Sequence, residues 1–282
     1  MLLGAHLRRL REAHGITRED AGYAIRGSES KISRLELGRV SFKERDVADL
    51  LTLYDVDDEE ERARLLALAR EANSPGWWHR YGDVLPSWFQ SYLGLEAAAS
   101  LIRSYEVQFV PGLLQTAEYA RAVVLLSFGR APEAEIDRRV GLRVARQDLL
   151  TREPPTQFWA VVDEAALRRP IGGTDVMLAQ LKALLEISEL PNVQLQVIPF
   201  RAGGYAAAGG SFSILRFPAD DLPDVVYVEQ LASALYLDKR DDVEPYAVAM
   251  ERLCLEAEPP DRTVELIERV LRDYQTTGRR RI

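Results

Sequence analysis

The chain has 282 residues and a formal net charge of −8. That length exceeds a typical domain of about 100–200 residues, so two domains are expected, each able to bury its own core. The single cysteine excludes an internal disulfide, the amino terminus lacks a signal-peptide pattern, and no apolar run approaches the roughly 18 residues of a membrane span, so a cytoplasmic protein without a membrane partner is expected.

A net charge of −8 alone argues against a nucleic-acid binder, but the charge is segregated. Residues 1–45 hold ten Lys or Arg against six acids, a balance of +4, which leaves −12 on the remainder. A basic head on an acidic body suits an oriented DNA binder, because phosphates attract the one and repel the other.

In chain order, Leu3, Leu7 and Leu10 make one face of a first helix over Leu2–His14, which Gly15 ends. Thr17 is the N-cap of a second helix, with Glu19 and Asp20 at its positive dipole end and Ala21, Ala24 and Ile25 as its apolar face. Gly27 is expected to supply the left-handed backbone that closes it. Ser28 caps a third helix that turns Ile32 and Leu35 inward and Glu29, Ser30, Lys31 and Arg34 outward. Two short helices joined this way have the layout of a DNA-reading helix-turn-helix, and a small helical bundle with a solvated charged face is the plain alternative. Helices over Asp46–Tyr54 and Glu59–Asn73 complete a five-helix headpiece.

From Leu7 to Arg39 the chain resembles the Cro/phage-repressor (XRE-type) helix-turn-helix: Ile16-Thr17-Arg18-Glu19 and Ile32-Ser33-Arg34-Leu35-Glu36-Leu37-Gly38 match its consensus without a gap. Two positions depart from it. Arg26 replaces the usual turn glycine, with Gly27 one place later, and Gly22 stands where alanine is usual. Carried over residue by residue, the resemblance implies that Glu29, Ser30 and Arg34 read base edges and that Arg18, Lys31 and Arg39 contact phosphates of double-stranded DNA. It also implies that Arg11 and Glu36 form a structural ion pair between the first helix and the recognition helix.

Ser74-Pro75-Gly76 breaks the helical pattern, which divides the chain into a DNA-binding domain over 1–75, a regulatory and dimerisation domain over 76–274 and a basic tail over 275–282. The aromatic run Trp77-Trp78-His79-Arg80-Tyr81 at the junction serves either domain docking or a ligand floor. A helix over Trp88–Tyr105 follows, then a Pro111-Gly112 turn, a helix over Ala117–Leu126 and a helix over Glu133–Thr151. The last carries Arg138, Arg139, Arg143 and Arg146 on a face that looks exposed, opposite an expected buried stripe of Ile136, Val140, Val144 and Leu149. Strands are expected at 157–162, 193–198, 211–217 and 225–229, with helices at Val176–Glu189, Val243–Ala257 and Thr263–Tyr274. The fold class is therefore an all-α headpiece plus a larger α+β domain with one small sheet, whose strand order this pattern does not give.

Leu95-Glu96, Tyr105-Glu106, the run Val110-Pro-Gly-Leu-Leu-Gln-Thr116 with Glu118-Tyr-Ala-Arg121, and Pro191-Asn-Val193 resemble the uncharacterised C-terminal domain attached to XRE-type headpieces in actinobacterial, antitoxin-like regulators. The resemblance implies a small acidic protein partner. No metal, cofactor or enzyme chemistry is expected: His6, His14 and His79 lack ligand spacing, and the carboxylates Asp163, Glu164, Glu229 and Asp238 have no nucleophile–base pair or phosphate loop beside them. Cys254 lies on an amphipathic helix and reads as a core thiol. The loop over 201–210, with two glycine pairs around Tyr205, is either a flexible connection or a lid over a small-molecule effector or a partner.

The expectation is a homodimeric, sequence-specific repressor. The rival is an antitoxin-like interaction module that mainly holds a small acidic partner.

Overall fold

The computed structural model describes residues 2–38, 40–74, 76–205, 207, 209–218 and 222–279. They divide into two units, Met1–His79 with Pro218–Pro223, and Arg80–Phe217 with Asp224–Ile282.

The first unit is five helices: α1 (Leu2–Ala13), α2 (Arg18–Ala24), α3 (Glu29–Glu36), α4 (Glu44–Leu53) and α5 (Glu59–Asn73). Each contributes one apolar stripe to a shared core, with Leu3 and Leu7 of α1, Ala21 of α2, Ile32 and Leu35 of α3, Val47, Leu50 and Leu51 of α4, and Leu65 and Ala69 of α5 all buried. The Asp58 carboxylate caps α5 by accepting the Glu61 amide at 2.7 Å. At the other end of α5 the Asn73 side chain accepts from the Phe42 amide and donates to the Phe42 carbonyl, which ties the connection before α4 to the bundle.

The second unit runs α6 (Ser87–Ala98), β1 (Leu101–Glu106), α7 (Ala117–Phe128), α8 (Glu133–Ala145), β2 (Gln157–Asp163), α9 (Glu164–Arg168), α10 (Thr174–Ile187), β3 (Val193–Ile198), β4 (Phe212–Arg216), β5 (Val225–Glu229), β6 (Ala234–Leu237), α11 (Arg240–Glu256) and α12 (Pro260–Arg279). One six-stranded sheet has the order β3-β2-β1-β4-β5-β6. The β1–β2 and β2–β3 pairs are parallel, as helical crossovers require, and β4, β5 and β6 run antiparallel to their neighbours. The α+β class is as expected, with two strands more than the pattern gave.

Four expectations are corrected. The helix placed over Trp88–Tyr105 stops at Ala98, and Leu101–Glu106 is a strand in the middle of the sheet. Its alternation buries Ile102 and Ser104 on one face, and Tyr105 on the other, so strand pairing on both edges overrides the helical continuation. β6 was also absent from the pattern: four residues at the sheet edge carry no alternation strong enough to announce a strand.

The third correction concerns the arginine helix. The α-helix ends at Ala145 and a 3-10 turn covers Arg146–Leu150. Val144 is 39% exposed, whereas Ile136, Leu142 and Leu149 are buried. The four arginines do not form an exposed set. Arg146 is 6% exposed and grips the buried Glu96 carboxylate with two hydrogen bonds of 2.6 and 2.8 Å. Arg138 holds Asp83 at 2.5 Å, Arg139 holds Glu135 at 2.8 Å, and Arg143 lines a cavity. Lastly, α12 continues through residues 275–279 of the expected tail, while Arg280, Arg281 and Ile282 lie outside the described residues.

The two faces of the sheet differ in chemistry. On one, Tyr105, Val161, Ile198, Phe212, Ile214, Val226 and Val228 pack with Met250, Leu253 and Ala257 as an apolar core. Cys254 sits half-buried at its margin, where burial pushes the thiol pKa up. On the other, the pairing register places Ser104, Ser213 and Tyr227 side by side across β1, β4 and β5. Tyr205, the centre of the glycine-rich loop, accepts a hydrogen bond from the Tyr105 hydroxyl at 2.8 Å and donates one to Asp163. Ala206 and Ala208 of that loop are outside the described residues.

Candidate nucleic-acid interface

Two capped helices create the candidate surface. The Thr17 hydroxyl accepts the Asp20 amide at 3.1 Å and donates to the Asp20 carboxylate at 2.6 Å, so α2 starts where the cap predicts. The Ser28 hydroxyl accepts the Lys31 amide at 3.2 Å and starts α3.

The turn between them corrects the expectation for Gly27. The residue in the left-handed region is Arg26, at φ 51°, and Gly27 is absent from that region. Arg26 thus occupies the position where the resembled family places glycine and bears the strain of a Cβ there. Left-handed backbone costs a side-chain-bearing residue about 1–2 kcal/mol, and glycine gives back about 0.5–1 kcal/mol of that in unfolded-state entropy. Arg26→Gly should therefore stabilise the first unit by about 0.5–1 kcal/mol, read as a shift of the urea midpoint.

Gly22, the other departure, has a spatial cause. A Cβ on it would lie 2.9 Å from the Ser28 carbonyl carbon and 3.1 Å from the Glu29 amide nitrogen, both backbone atoms at the entry to α3. Glycine lets α2 approach that closely. Gly22→Ala should cost about 1–3 kcal/mol by forcing the two helices apart, the reverse in sign of the Arg26 change in the same assay.

The inner side of α3 is fixed by an ion-pair network. Arg11 Nε donates to Glu36 Oε1 at 2.5 Å and Arg11 also donates to the Ile16 carbonyl at 2.9 Å. Arg18 Nε donates to Glu36 Oε2 at 3.0 Å. The implied Arg11–Glu36 pair is present and buried, and its hydrogen bond holds the Arg11 pKa above the usual guanidinium range. One carboxylate therefore joins α1, α2 and α3.

The residues expected to touch DNA fall into three groups. Glu29, Ser30 and Arg34 are exposed on one side of α3, with Arg34 Nε donating to the Ser30 carbonyl at 3.2 Å. Arg18 and Lys31 are engaged within the protein: Arg18 with Glu36, and Lys31 Nζ with Asp46 Oδ2 at 2.6 Å. Arg39 lies outside the described residues. Asp46, at the start of α4, is the partner that sequence reasoning missed, because an ion pair between separate helices leaves no local periodicity to detect.

A capped helix pair with an exposed polar face on its second helix defines a helix-turn-helix DNA-binding regulator. The family model described as a helix-turn-helix domain matches residues 2–65. A domain of unknown function (DUF5753) matches residues 89–269, more than half of the chain, and the chain belongs to that family. No curated protein and no solved structure matches the chain. Among the described residues, no helix is long and apolar enough to cross a membrane, and no group of His, Cys, Asp and Glu is arranged to hold a metal ion.

Proposed function

We propose that this chain is a cytoplasmic, dimeric, sequence-specific repressor of transcription without enzymatic activity. α3 enters the major groove, and Glu29, Ser30 and Arg34 meet base edges there. The observation that carries this reading is the two-sidedness of α3. Its inner side is locked to α1 and α2 through Glu36, and its outer side presents three polar side chains to solvent. A rigid helix with a free polar face can dock without first reorganising, which lowers the cost of binding.

Arg18 and Lys31 are each bonded to a carboxylate, Glu36 and Asp46, so contact with phosphate shares or replaces those pairs. Each pair joins a partly exposed cation to a buried carboxylate, so a phosphate competes with an interaction stronger than a surface ion pair. One recognition helix makes few base contacts, so dimerisation through the second unit would place two helices on half-sites about 34 Å apart or a multiple of it. A protein partner or small effector would act through that same unit.

Arg34→Ala tests the assignment. It should weaken binding to a selected operator by about 1–3 kcal/mol, roughly 5- to 150-fold, while leaving affinity for unrelated DNA little changed. Equal losses on both DNAs would make Arg34 a phosphate contact, and unchanged operator affinity would remove it from the interface.

A further inference from the structure

The polar face of the sheet lines a partly open cavity of about 110 Å³ within the second unit. A buried water needs about 10–15 Å³ on this measure, so the space suits a molecule of roughly seven to eleven non-hydrogen atoms. Its floor is Ser104 and Ser213, buried at the centre of the sheet and bonded to each other at 3.2 Å. Serine is poorly suited to such a position for packing alone, since branched and aromatic residues fill the opposite face of the same strands.

Three charged groups line the cavity: Glu106 of β1, Glu229 of β5 and Arg143 of α8. Arg146 is also present, but Glu96 neutralises it. Glu229 accepts the Tyr227 hydroxyl at 2.8 Å, and Glu106 is bonded to Ser211. Arg143 makes no hydrogen bond and no ion pair among the described residues, although Glu106 and Glu229 are near enough to act on its charge. Burial and Arg146 together lower its pKa to about 10, so at neutral pH it is a charged guanidinium whose donors are not hydrogen-bonded within the described residues. Such a group has five donors in a planar fork and calls for a carboxylate.

Two carboxylates and one guanidinium leave the walls without net positive charge, which disfavours a simple anion. The absence of a three-donor metal cluster among the described residues disfavours a divalent cation. An uncharged apolar molecule would leave the Arg143 donors unsatisfied. What fits is a ligand carrying both signs. The aromatic side is supplied by Tyr92 and Tyr227, whose ring centroids are 4.2 Å apart, and by Phe89, 5.5 Å from Tyr92.

We propose that this cavity binds a small amino carboxylate, a free α-amino acid or a close chemical relative. Its ammonium group meets Glu106 and Glu229, its carboxylate meets Arg143, and its side chain lies against Phe89 and Tyr92.

The test is thermal unfolding of the full-length protein with each standard L-amino acid at about 10 mM. A ligand with a Kd near 1 mM raises the midpoint by roughly 3–6 °C in a chain of this size. At least one amino acid should do so. Its N-acetyl form, which lacks the ammonium, and its amide, which lacks the carboxylate, should give no shift. Arg143→Gln should abolish the shift while retaining the native circular dichroism, since it breaks no hydrogen bond within the protein. No shift with any amino acid overturns the proposal, as does a shift that survives N-acetylation, amidation or Arg143→Gln. The two modified ligands are tested on the wild-type chain, so the outcome does not depend on how the variant folds. DNA is absent throughout, so this result and the DNA-binding reading fail or stand separately.

Discussion

Arg146→Met should destabilise the second unit by about 3–5 kcal/mol, because it leaves the Glu96 carboxylate buried without its partner. Glu96 is 1% exposed and Arg146 is 6% exposed, so water cannot take the place of the lost guanidinium. The two hydrogen bonds of 2.6 and 2.8 Å are accompanied by stacking of the Arg146 guanidinium over Phe89 and Tyr92, 5.5 Å from each ring centroid. Desolvation alone would lower the Arg146 pKa, yet the charge and hydrogen bonds of Glu96 outweigh it and raise the value beyond the ordinary arginine range. Replacing both partners, Glu96→Leu with Arg146→Met, should recover most of the loss, since an apolar pair of similar volume carries no desolvation cost. Urea unfolding followed by tryptophan fluorescence measures both. A single variant within about 1 kcal/mol of the wild type would mean that Glu96 finds another donor or takes up a proton at little cost.

Glu106→Gln should act in the opposite direction and only at higher pH. Burial is the main cause that raises the Glu106 pKa to about 7, and Glu229 adds to it, while Ser211, Arg143 and Arg146 oppose it. The folded protein therefore holds a proton on Glu106 over a range in which the unfolded chain, near 4.5, has released it. More protons bound in the folded state make stability fall as pH rises from about 4.5 to 7. Glutamine mimics the protonated form and removes this loss. Below pH 4.5 the variant should match the wild type, and above pH 7 it should be more stable by about 1–3 kcal/mol, a value discounted for the solvent that reaches the cavity. A stability difference that does not change with pH would contradict the burial of this charge.

The headpiece was legible because its determinants are local. Thr17 and Ser28 precede their helices by one residue, the apolar stripes repeat every three or four positions, and Arg11 and Glu36 fall in a motif with known spacing. The turn misled by one residue, because glycine is the usual left-handed residue and Arg26 is not. In the second unit the determinants are distant in sequence. β1 is a strand because β2 and β4, from far along the chain, pair with its two edges. Arg146 is buried because Glu96, fifty residues earlier, is buried with it. No helical wheel drawn over Glu133–Thr151 distinguishes Arg146 from Arg138, whose partner Asp83 is largely exposed. The candidate ligand site was not legible either: Glu106 and Glu229 approach each other only through the order β1-β4-β5, which the residue pattern did not supply. Several residues that carried the resemblance in this region, Glu106 with Pro111, Gly112 and Leu113, prove to line that cavity.

Sequence reading by α3 of the helix-turn-helix is tested by selecting bound sites from a random DNA pool with the full-length protein, then titrating the recovered site and a scrambled one at matched salt. The selection should yield a recurrent motif with two related halves, bound about 10³-fold or more tightly than the scrambled site, with Arg34→Ala erasing most of that ratio. Recovery of no motif, or equal affinity for both DNAs in the wild-type protein, would contradict it.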